Sequence, residues 1–156
     1  MDDELFEQLC RDTCVALNQS DIDALTIKHQ IKVDGVNIGL FFDALHTSDR
    51  IVCYVEIGDL PDLDREEILE RLLAINLLTG SKTSGVYGLD RMSEKIIFVQ
   101  HFLYPELLTG QILAEILRGY AHHAKATHMS FLDAANHLPL PDLLEQSLHS
   151  QGVSFA

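Results

Sequence analysis

The chain has 156 residues, of which 47% are apolar, which is enough for one domain with a core of its own. Its formal net charge is −13 and its pI about 4.8. That charge is opposite to the basic footprint of nucleic-acid binding and disfavours an anionic membrane surface.

The opening segment, MDDELFEQL, is acidic and amphipathic. It lacks the basic flank and continuous apolar run of a signal peptide. No stretch is long and apolar enough to span a bilayer, so the sequence reads as cytosolic. Three cysteines without framework spacing fit a reducing compartment. Cys10 and Cys14 stand at i and i+4 and read as small apolar residues rather than as a redox or metal pair. A helix is predicted over Asp2 to Gln19. Leu5, Phe6, Leu9, Thr13, Ala16 and Leu17 share one arc, and acidic residues in the first turn suit the helix dipole.

Next comes ALTIKHQIKVDGVNIGLFFDAL, where Asp34-Gly35 between alternating runs is a two-residue hairpin signal. Pairing Val33 with Val36 sets Ile31 against Ile38, His29 against Leu40, Ile27 against Phe42 and Leu25 against Ala44. One face is then apolar except for His29. The other carries Thr26, Lys28, Gln30, Lys32, Asn37 and Asp43, with Phe41 and Leu45 as apolar exceptions. A third strand, Arg50 to Gly58, adds Ile51, Cys53, Val55 and Ile57 to the core face. Its Val52, Tyr54 and Glu56 turn outward, with Tyr54 expected near Phe41 and Val52 near Leu45. An apolar cluster inside a polar frame is a candidate peptide-binding platform, unless another part of the chain, such as its C-terminal tail, covers it.

Asp64, with Glu67 three residues on, reads as a capping box opening a second helix. That helix is amphipathic at its start. From Leu72 to Leu78 it is apolar all round, with Asn76 the one interruption, so it should be buried on two sides there. Strands are predicted at Gly85 to Asp90 and Lys95 to Leu103, apolar on both faces and therefore covered on both. The surplus apolar surface of this helix and these strands points to a homodimer, the commonest symmetric assembly. The last long helix is predicted from Pro105 to about His128. Residues 129–156 form a tail that is expected to be partly mobile, with a short helix at Asp142 to Leu148. The fold class is α+β, in the order α-β-β-β-α-β-β-α with a twisted antiparallel sheet.

Catalytic signals are poor. TGSKTSG follows a helix and lacks P-loop spacing. His122, His123 and His128 are not related by i,i+3 or i,i+4 spacing, so no metal site is expected, and no cofactor. His29 and His101 read as sheet residues.

The element order, together with LLAINLLTG, then GVYGLD, then IIFVQHFLYPELLTGQILAEIL and a helix ending YAHHAKATH, resembles the class I type III secretion chaperones, the Tir-chaperone-like family. The resemblance covers about residues 1–128, taken as the domain. The turn RMSE lacks a glycine often found there, and the tail is longer than the family suggests. The resemblance implies a non-enzymatic homodimer in the bacterial cytoplasm. Such a chaperone holds the N-terminal segment of a secreted effector extended and secretion-competent, with the secretion ATPase as a further partner. It implies an effector surface at Lys28, Phe41, Leu45, Val52 and Tyr54, and a dimer interface at Leu73, Ile75, Leu77, Leu78, Val86 and Ile97. The competing reading is a general protein-interaction module of the same fold.

Overall fold

In the computed structural model, the described residues are 1–43, 50–79 and 85–134. They form α1 (Asp3–Ala16), α2 (Ala24–Ile27), β1 (Gln30–Val33), β2 (Val36–Asp43), β3 (Arg50–Asp59), α3 (Arg65–Thr79), β4 (Gly85–Asp90), β5 (Lys95–Phe102), a 3-10 turn (Pro105–Leu107) and α4 (Gly110–Ala134). The five strands make one antiparallel sheet in the order β1-β2-β3-β5-β4. The fold is α+β, as the sequence predicts.

Alternation sorts the sheet into two faces. Ile31, Val33, Ile38, Leu40, Ile51, Cys53, Val55, Ile96 and Phe98 point into the core with Phe6, Leu9, Cys10 and Cys14 of α1 and Leu113, Leu117, Ala121 and Ala124 of α4. α1 and α4 are packed against each other as well as the sheet. Gly110 makes this possible, because a Cβ there would lie 2.5 Å from the Cβ of Asp12. Arg118 then donates to the carbonyl of Ala16, 2.7 Å away. Asp2 caps α1 by accepting from the Leu5 N–H at 2.9 Å, which satisfies one of the donors left open at a helix start.

Several boundaries and one cap differ from the sequence reading. β1 begins at Gln30, because Ala24–Ile27 coils into a helical turn and His29 takes a left-handed φ of +54°. Leu25 is buried under that turn, and Asp23 is tied to Arg11 of α1 at 2.9 Å, so tertiary contact overrides the alternation. Ile27 therefore does not pair with Phe42. Asp64 adopts φ +59° with its carbonyl accepting from Ile68 N–H, not the extended conformation a capping box uses. Pro105 opens a 3-10 turn, and the helix proper starts at Gly110. α4 runs on to Ala134, six residues beyond the predicted end. The expected tail helix at Asp142 to Leu148 lies outside the described residues.

Candidate functional site

The outer face of the sheet carries no helix among the described residues, so its composition decides what it can do. The registers place Gln30, Gly39, Tyr54, Val99 and Val86 in one row that crosses all five strands. The next row is Phe41, Val52 and His101. Gly39 contributes no side chain, and the Phe41 ring lies over it: a Cβ at Gly39 would be 3.2 Å from that ring. Phe41 meets Tyr54 edge-on at 5.4 Å between ring centres and His29 at 5.6 Å. Phe41 and Tyr54 remain 44% and 38% exposed.

Val52 differs from expectation. It faces Phe41 directly and is only 6% exposed, so it supports the ring from beneath and offers little surface itself. Leu45, expected beside it, lies outside the described residues. Lys28 ends α2 at the rim, held by Asp21 at 2.9 Å.

An open groove of about 490 Å³ runs along this face between Lys28, Gly39, Phe41, Tyr54, Glu56 and Asp90. Its polar wall is ordered: Glu56 accepts from Lys95 at 2.7 Å and Asn37 at 3.1 Å. Partial burial pushes the Glu56 carboxyl upward. The hydrogen bonds from Lys95 and Asn37 outweigh it, leaving the pKa below the usual carboxylate range. A second groove, of about 360 Å³, lies round the ridge between Asp3, Phe6 and Glu7 of α1, Thr26, and Phe41 and Phe42 of β2. His29 and Phe41 line both grooves. The shortened β1 also leaves a backbone opening. Leu40 N–H bonds the His29 carbonyl, so by ladder alternation the N–H and C=O of Phe42 point the same way, past the end of β1. Sequence reasoning missed this second groove, because it depends on where α1 sits.

At the far edge, α3 presents Leu73 and Leu77, 69% and 72% exposed, beside the 44% exposed Val86 of β4. Ile75, Leu78 and Ile97 are half-buried, while Ile68 and Leu72 on the other side of the helix enter the core. Asn76, the one polar interruption, docks the helix. Its Oδ1 accepts from Tyr87 N–H at 2.7 Å, and its Nδ2 donates to the Tyr87 carbonyl at 2.9 Å. A side-chain amide thus occupies the place of a neighbouring strand on the open edge of β4. The core side of Tyr87 is held by α4, with its hydroxyl 2.6 Å from Nε2 of His123. His128 packs its ring on Gly58. Among the described residues no three His, Cys, Asp or Glu side chains converge as a metal site, and no helix is long and apolar enough to cross a membrane.

Comparison with known proteins gives two findings. The model of the Tir chaperone protein (CesT) family matches residues 32–128. The crystal structure of the ExsC-ExsE complex contains a chain similar in fold, with a TM-score of 0.67 over 83% of this chain and 96% of that one, at 16% identity. Compared with curated protein sequences, the chain matches none.

Proposed function

The chain belongs to the Tir chaperone protein (CesT) family, and on that footing we propose that it is a cytoplasmic chaperone of a bacterial type III secretion system. It binds the N-terminal segment of a secreted effector and keeps it extended and secretion-competent. The observation that carries this reading is the solvent-facing ridge of Phe41 and Tyr54 on a sheet face that carries no helix among the described residues. An extended segment can add backbone bonds where β1 stops short of Phe42 and set alternate side chains on the ridge. Ordering such a segment costs several kcal/mol, roughly 2–5, so the client has to bury much apolar surface. The acidic charge keeps a protein with exposed apolar surface soluble. The protein acts by binding, not by catalysis, and release falls to the secretion ATPase.

The functional unit is a homodimer, built on Leu73, Ile75, Leu77, Leu78, Val86 and Ile97. The row from Tyr54 through Val99 to Val86 runs from the client surface to this interface. Two protomers would therefore offer one extended client two connected surfaces. The effector contacts are Phe41 and Tyr54, with Lys28 at the rim and Val52 beneath; Leu45, the remaining expected contact, lies outside the described residues. The test is co-expression with the N-terminal segments of effectors encoded near the gene. Co-purification that Phe41→Glu and Tyr54→Glu abolish, with the dimer intact, supports the reading. Binding unchanged by both substitutions removes this face from it.

A further inference from the structure

The two grooves share Phe41 and His29, so one extended segment can run through both, and their charges say what kind. Among the described residues, four carboxylates line them, Asp3, Glu7, Glu56 and Asp90, against Lys28 and the imidazole of His29. Lys28 is engaged by Asp21. Glu56 is engaged by Lys95, and Glu7 by Arg11 at 3.2 Å. Asp3, exposed in the first turn of α1, makes no ion pair among the described residues. Phe41 is the apolar residue common to both: Gly39 and Tyr54 stand with it in the first groove, and Phe6 and Phe42, stacked at 5.5 Å, in the second.

We propose that the segment received here is net-basic, with an aliphatic side chain against the exposed edges of the Phe41–Tyr54 pair in the first groove and a Lys or Arg a few residues away, across the Phe41–His29 contact, against Asp3 and Glu7 in the second. This deepens the client-binding reading and rests on it. Charge also separates this occupant from the alternatives. Residues 135–156 of the chain hold Asp142 and Glu145 and no Lys or Arg, so like charge opposes them in the second groove. A second copy brings another −13 and fits better at the uncharged Leu73, Leu77 and Val86 patch.

The test is selection of a random dodecapeptide phage library on the full-length protein and on three variants: Phe41→Glu, Tyr54→Ala, and Asp3→Lys with Glu7→Gln. Solution mass and melting are checked for each variant, and Tyr54→Ala serves should Phe41→Glu fail to fold. Peptides selected by the natural protein are expected to share an aliphatic residue and to favour Lys or Arg over Asp or Glu near it by about two- to fivefold, the range of an exposed ion pair. The Asp3→Lys, Glu7→Gln protein should keep the aliphatic preference and lose the basic one, and the ridge variants should lose both. Ridge-dependent peptides without a charge preference, or with one that survives Asp3→Lys, Glu7→Gln, overturn the inference and leave the chaperone reading standing. Selection of no ridge-dependent peptide overturns both. Displacement of selected peptides by a synthetic peptide of residues 135–156 would assign the groove to the chain's own terminus and also overturn it.

Discussion

Gly58 illustrates how tightly single positions are held. It has φ +150°, and a Cβ there would strike the ring of His128. Gly58→Ala should therefore cost about 1–3 kcal/mol, measured by urea unfolding. Adding His128→Ala should recover the steric part and leave the backbone strain. The thiols are equally confined. Burial pushes Cys53 to about 12. Burial first, then the neighbouring Cys14 and Glu7, push Cys10 to about 12, and Cys14 is raised chiefly by burial too. None is a thiolate at pH 8, so Ellman's reagent should find no fast thiol until the protein unfolds; a rapid stoichiometric reaction would contradict the packing. Glu56 sets a pH dependence. Its folded pKa lies below 4.5, so its contribution to stability is present at neutral pH and lost as pH falls below that value. Glu56→Gln should flatten this part of the acid-unfolding curve.

Among the elements, α3 is the most informative. Its inner side reaches the core through Ile68 and Leu72, and Asn76 fixes it to the edge of β4. Asn76→Ala should cost about 1–3 kcal/mol by leaving the Tyr87 backbone groups unpaired. It should also release the Tyr87 amide, which hydrogen exchange would show as lost protection at that one residue. The run of leucines around Asn76 was legible as surplus apolar surface, but the role of Asn76 was not, since only the folded sheet brings Tyr87 beside it. The hairpin shows the same division. Asp34-Gly35 fixed the pairing of Ile31 with Ile38 because turn chemistry is local. The start of β1 does not follow the alternation, because the Arg11–Asp23 ion pair and the burial of Leu25 are tertiary contacts made with α1 and the core. Phe41 and Tyr54 could be read from alternation alone. Asp3 and Glu7 could not be joined to them without the position of α1.

For the whole molecule, the expected assembly is a dimer of twice 17.5 kDa by light scattering on a sizing column. Leu73→Asp with Leu77→Asp should give a folded monomer, because both side chains face solvent in the single chain. A natural protein that is already monomeric would remove the dimer from the proposal. The layering also has a consequence in time. α1 is made well before α4, yet each needs the other: Arg118 reaches across 102 positions to Ala16. At about 5–20 residues per second of synthesis, α1 waits roughly 5–20 seconds for the helix that covers it. During that wait, Phe6, Leu9 and the core face of the growing sheet have no lid. On the ribosome the newborn protein is thus itself a chain with exposed apolar surface, in need of shelter until α4 emerges.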